Sequence, residues 1–128
     1  MTRRYVYHLT FLNILPSIAK DGLILGYGGR WPGVIWFVAD DRYYAPMDPC
    51  RDFQLRFPFP EDAELKYEVD FKETGDKLQK EYISRTPVSP NIIDVKIHND
   101  WLPLSDDLTL QEIELLMDEC GHKGDADY

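Results

Sequence analysis

The stretch Val34–Ala39, VIWFVA, is a continuous apolar run bounded by Gly33 and Asp40. A run of that length between turn signals reads as a fully buried strand. Such a strand needs a core around it. At 128 residues the chain fits one domain, residues 1–128, and its 44% apolar content suffices to build that core.

The rest of the sequence is ordered around that strand. Arg4–Leu9 is rich in β-formers and reads as a first strand. Asn13 can cap a following helix with Pro16 in its first turn, Ile14, Leu15, Ile18 and Ala19 on its apolar face, and Gly22 as its left-handed end. Leu23–Leu25 reads as a brief strand and Gly26–Gly33 as a glycine-rich loop. A short helix is expected from Asp40 or Asp41 through Tyr43–Ala45. Pro46–Pro60 carries four prolines and reads as irregular. Glu64–Phe71 alternates, with Leu65, Tyr67, Val69 and Phe71 on one half-buried face. Glu81–Arg85 and Ile92–His98 read as strands joined by a turn at Thr86–Asn91. The last helix is signalled by a capping box, Thr109 with Glu112, and a staple, Leu108 with Ile113. Its apolar face is Leu110, Ile113, Leu116, Met117 and Cys120, and Gly121 ends it. Strands gathered in runs with helices to the side make an α+β fold, not alternating βαβ units.

Charge and cysteine content narrow the function. The net charge of −9 opposes a broad nucleic-acid surface, because such binding neutralises phosphates. Arg3 with Arg4, or Arg51 and Arg56, can still form a local basic patch. Cys50 and Cys120 lack paired spacing and point to a reducing compartment. No apolar segment after Met1 resembles a signal peptide, and no run approaches a membrane span. A cytoplasmic protein with no membrane partner is expected. His8, His98 and His122 are too scattered to suggest a metal site.

Few residues stand out for chemistry. His8 shares a strand face with Val6 and Thr10, and reads either as a ligand donor or as a core-edge histidine bonded to backbone. Glu81 opens a strand behind a polar loop, and reads either as a cleft carboxylate or as a solvated surface acid. Trp36 reads first as core. Tyr43 and Tyr44 can wall a pocket or pack, and Arg30 can meet a phosphate bidentately.

Taken together, three segments resemble motifs of the ADP-ribosyltransferase superfamily. Tyr7–Thr10 (YHLT) resembles its first motif, and Asn13–Leu23 (NILPSIAKDGL) is similar to the helix that follows in bacterial members. Gly33–Asp40 (GVIWFVAD) resembles the second motif. Gln79–Ile97 resembles the third, in which a glutamate opens a strand and a proline turn leads to a final strand. The chain resembles a small bacterial or phage-type member, similar to the H-Y-E class and to DNA-modifying toxins of the superfamily. The resemblance implies a split β-sheet with flanking helices and an NAD-dependent mono-ADP-ribosyltransferase without a metal. Glu81 and His8 would be catalytic, Glu81 stabilising the oxocarbenium-like state as nicotinamide leaves. His8, Leu9, Thr10, Asn13, Arg30, Trp36, Tyr43 and Tyr44 would hold NAD⁺. His8 and Glu81 would then face one cleft, with Trp36 or Tyr43 and Tyr44 between them. Trp36 stands where the family usually has tyrosine, and Leu9 where many members have glycine. The acceptor, whether small molecule, protein or nucleic acid, is not named by the sequence, and an antitoxin partner is an option. Rival expectations are a non-catalytic NAD- or nucleotide-binding module, an immunity or adaptor protein, and, on the same fold, an RNA 2′-phosphotransferase.

Overall fold

The computed structural model describes residues 4–26, 33–39, 48–69 and 79–120. The expected helix after Asp40, with Tyr43 and Tyr44, lies outside these residues, as do Arg3, Arg30, Phe71 and Gly121. The fold is α+β. Seven strands, β1 (Tyr5–Phe11), β2 (Ile35–Val38), β3 (Asp52–Pro58), β4 (Glu64–Val69), β5 (Gln79–Ser84), β6 (Asp94–Ile97) and β7 (Asp100–Pro103), form a sheet in the order β4-β5-β2-β1-β3-β6-β7. All neighbours are antiparallel. Two helices, α1 (Leu15–Asp21) and α2 (Asp107–Glu119), pack on one face.

Strand β2 is as buried as its composition demands. Ile35, Phe37 and Val38 are buried, and Trp36 is half-buried. The Phe37 ring lies 5.9 Å from Tyr82, stacked, and 5.7 Å from Phe57, edge-on. Val6, Leu55, Phe57 and Val95 extend this face across β1, β3 and β6, and Leu15, Ile18, Ile113 and Leu116 cover it from the helices. Each such side chain contributes roughly 1.5–3 kcal/mol through burial.

The segment expected to be irregular between Pro46 and Pro60 instead supplies β3, a central strand paired with β1 along its whole length from Asp52↔Phe11 to Pro58↔Tyr5. Phe53, Leu55 and Phe57 alternate with Asp52, Gln54 and Arg56 at the period of a strand. Pro49 and Pro60 fall outside the ladder and Pro58 sits at its end, so these three prolines do not interrupt β3. Strand β7 was also unforeseen. It follows a two-residue turn in which His98 (φ 52°) and Asn99 (φ 71°) both adopt positive φ, as a tight hairpin of right-handed twist requires. Leu23–Leu25 is reduced to a single bridge, Leu23↔Val88. The start of the expected 92–98 strand is a 3-10 turn, Pro90–Ile92. In β4 the register shifts between Leu65 and Tyr67, and Leu65 is 43% exposed, so it does not belong to a half-buried face.

Both helix caps differ from expectation. Asn13 lies in a 3-10 turn, Leu12–Ile14, and Ile14 occupies the cap position of α1 without a side-chain bond, while Pro16 does sit in the first turn. For α2 the cap is Asp106, whose carboxylate accepts from the Leu108 N–H at 2.9 Å. Thr109 is therefore inside the helix and buried, and Leu108 is 69% exposed, so no staple forms with Ile113. An aspartate three residues earlier outcompetes the threonine because its ionised oxygen is the stronger acceptor at a helix N-terminus.

The cysteines are joined. Cys50, just before β3, and Cys120, at the end of α2, form a disulfide across 70 residues of sequence, with Cα atoms 5.5 Å apart. This removes the argument from cysteine count for a reducing compartment, since such bonds persist under oxidising conditions. Only the fold brings the two positions together; their spacing gives no hint. No helix among the described residues is long and apolar enough to cross a membrane.

Of the two expected basic patches, that of Arg51 and Arg56 is neutralised, and that of Arg3 with Arg4 falls partly outside the described residues. Arg51 is paired with Asp52 and Arg56 with Asp94, both at 2.9 Å. The Arg56 guanidinium also lies 4.4 Å from the Tyr5 ring centre and 4.6 Å from that of Trp101, covering the sheet face opposite the helices.

Candidate functional site

The sheet consists of two limbs, β4-β5-β2 and β1-β3-β6-β7, whose junction is registered by the pair Tyr7↔Val38. His8 stands at this seam. Its Nδ1–H donates to the Trp36 carbonyl oxygen at 2.6 Å, joining β1 to β2. A carbonyl can only accept, so Nδ1 carries the proton and Nε2 of the neutral ring is left as an acceptor. Burial pushes the His8 imidazole below the ordinary histidine value, outweighing the opposing pull of the Trp36 carbonyl. The ring is therefore neutral at pH 7.

Beside His8 lies a cavity of about 330 Å³ between the end of β1 and α1. Its floor is His8, Thr10, Ile18, Gly22 and Leu23, and its exposed rim carries Ile14, Ser17, Asp21 and Ile24. Leu9 and Phe11 complete the β1 wall. The position of α1 is fixed by Gly22, which has φ 76°, ψ −167° and packs against the Val88 carbonyl oxygen where no Cβ fits. The Leu23↔Val88 bridge then ties the outgoing chain to the core.

Of the residues expected to hold a ligand, His8, Leu9 and Thr10 line this cavity. Asn13 does not; its carboxamide oxygen is buried and has no hydrogen-bond partner among the described residues. Trp36 takes part through its main chain, as the acceptor for His8. Arg30, Tyr43 and Tyr44 lie outside the described residues. Ser17 and Asp21 of α1 also line the cavity and were not foreseen. The signal was present, since Ile14, Ser17, Ile18 and Asp21 follow the i, i+3, i+4, i+7 spacing of one helix face, and the two polar members interrupt an otherwise apolar stripe.

Glu81 is buried at 8% exposure, near the start of β5. It pairs with Val38, which pairs in turn with Tyr7, so the three form one row across adjacent strands. Two strand spacings put the Glu81 and Tyr7 backbones about 10 Å apart. Side chains in such a row point to the same side, and neighbours along a strand alternate. Glu81 therefore projects with Tyr7 and Val38, while His8 belongs to the Val6 and Thr10 side. The single cleft expected to hold both is not what the register gives. The imidazole leans from β1 onto the β2 main chain, where it bonds the Trp36 carbonyl. Strand alternation overrides proximity in sequence motifs here, because His8 is one residue off the shared row.

A scan against protein-family models matches no family, and searches of curated proteins and of solved structures return no match.

Proposed function

We propose that this chain is an NAD-dependent mono-ADP-ribosyltransferase whose dinucleotide spans the seam between β1 and β2. The observation that carries the reading is convergence. The three segments that resemble the superfamily's motifs lie far apart in sequence, yet occupy three adjacent strands. His8 of the first bonds Trp36 of the second, and Val38 of the second pairs with Glu81 of the third. A sheet of two limbs meeting at Tyr7 and Val38 is also compatible with the split sheet that the resemblance implies.

On this reading the nicotinamide ribose lies on the Glu81 side of the sheet, the Leu9 main chain holds the nicotinamide amide, and His8, projecting to the other side, positions β1 against β2 through the Trp36 carbonyl. The bond between C1′ and the pyridinium nitrogen breaks with its electron pair going to nitrogen, which releases neutral nicotinamide. Positive charge develops on the ribose, and the Glu81 carboxylate in its water-poor setting stabilises that charge. An acceptor nucleophile then bonds C1′ and loses a proton.

A second reading is a module that binds NAD⁺ or a related nucleotide without turnover. It is favoured by the row position of Glu81, on the other side of the sheet from His8. Calorimetric titration with NAD⁺ tests what both readings share: saturable binding at one site is expected, and no heat above dilution contradicts both.

A further inference from the structure

Helix α2 carries apolar side chains on two faces. Ile113 and Leu116 are buried in the core, whereas Leu108 and Leu115 are 69% and 54% exposed. The exposed pair is seven residues apart, so the two leucines share the outer face at a spacing of about 10 Å. Single exposed leucines are ordinary. Two at heptad spacing, rimmed by charge, form the pattern by which helices recognise partners. The rim is acidic. The helix, DLTLQEIELLMDE, has five carboxylates and no basic residue. Glu112 and Glu119 follow the leucines by four residues, and Gln111 and Asp118 by three, so polar groups border the stripe on both sides. Among the described residues no cation pairs with the α2 carboxylates. Both ends of the helix are held: the Asp106 carboxylate caps its start, and the Cys50–Cys120 bond anchors its end. A face fixed in this way loses little freedom on binding.

We infer that the outer face of α2 docks a basic amphipathic helix of a partner protein, whose apolar stripe covers Leu108 and Leu115 and whose lysine or arginine side chains meet the acidic rim. Charge selects this occupant. A second copy of the chain would set acidic rim against acidic rim, and the whole chain carries a net charge of −9. A basic helix meets both requirements of the face. Its apolar stripe takes the two leucines out of water, and its charges steer the encounter and reject acidic competitors. The inference is independent of the NAD⁺ reading, since it uses no residue of β1, β2 or β5.

The probe is a synthetic, dye-labelled helical peptide with leucine at its a and d positions and lysine at e and g. It is titrated by fluorescence anisotropy against the native chain and against the double variant Leu108→Gln with Leu115→Gln. Both leucines are exposed, so the fold does not depend on them. Saturable binding to the native chain is expected, weakened about tenfold or more in the double variant, the scale of losing one buried leucine. A peptide with glutamate in place of the lysines is expected not to bind the native chain. Absence of binding by the lysine peptide overturns the inference. Equal affinity for the native chain and the double variant also overturns it, because charge attraction alone would then account for binding. So does undiminished binding of the glutamate peptide. Sedimentation that shows a native dimer, lost in the double variant, overturns it as well by giving the face to a second copy.

Discussion

Removing the disulfide gives the largest stability change that the structure allows to be worked out. Cys50 and Cys120 close a loop of 70 residues. In the chain-entropy treatment, a cross-link over that span takes about 4 kcal/mol of conformational freedom from the unfolded chain. Folded stabilities of single domains are about 5–15 kcal/mol, so the loss is a large share of the total. At roughly 2.1 cal/mol/K of unfolding entropy per residue, a chain of this length loses about 15 °C of melting temperature for that change. The perturbation is the double variant Cys50→Ser with Cys120→Ser, since either single variant leaves a free thiol. Cys50 is exposed, and Cys120 is half-buried against the core, so the substitutions themselves remove little packing. Melting curves by circular dichroism, for the oxidised native protein, the native protein in excess dithiothreitol and the double variant, give three values. The reduced protein and the double variant are expected to melt together, well below the oxidised protein. A double variant within about 2 °C of the oxidised protein would refute the reasoning, because the loop entropy would then contribute nothing measurable.

Two further outcomes follow from the site's surroundings. Gly22→Ala forces an L side chain into φ 76°, ψ −167° and drives its Cβ into the Val88 carbonyl oxygen; a loss of about 2–4 kcal/mol in urea unfolding is expected, and a near-neutral change would show that α1 is not held as described. His8 has a folded value below the ordinary histidine value of about 6.5. The unfolded chain therefore binds the proton more readily, so the stability this group confers is present above about pH 6.5 and is lost as pH falls through the folded value. His8→Asn keeps a neutral donor for the Trp36 carbonyl, and the native-minus-variant stability difference should shrink on acidification; a difference that stays flat from pH 7.5 to pH 5 would contradict a desolvated imidazole.

The parts of this fold written locally were legible. The apolar run at Val34–Ala39 announced β2, the helical spacing of Ile113 and Leu116 announced the buried face of α2, and Gly22 announced the end of α1. What depended on distant partners was not. The prolines around β3 looked disruptive because the sequence does not say which of them lie outside the ladder. Asp106 and Thr109 both suit a cap, and the choice is made by where the chain leaves β7. The Cys50–Cys120 bond is invisible at a separation of 70. In the candidate site, the three singled-out segments lie on strands that become neighbours, β1, β2 and β5. They did not carry the register that sets Glu81 in the row of Tyr7 and Val38, nor the role of α1 in walling the cavity with Ser17 and Asp21.

The central claim is that Glu81 stabilises charge on the ribose as nicotinamide leaves NAD⁺ bound across the β1–β2 seam. Nicotinamide release from NAD⁺ by the native chain and by Glu81→Gln, followed by chromatography, tests it directly, with calorimetry confirming that both proteins still bind NAD⁺. The account predicts release by the native chain and a drop of about 10²-fold or more in Glu81→Gln, the scale of losing one charge-stabilising group. Equal release by the two proteins, with binding intact in both, would contradict it.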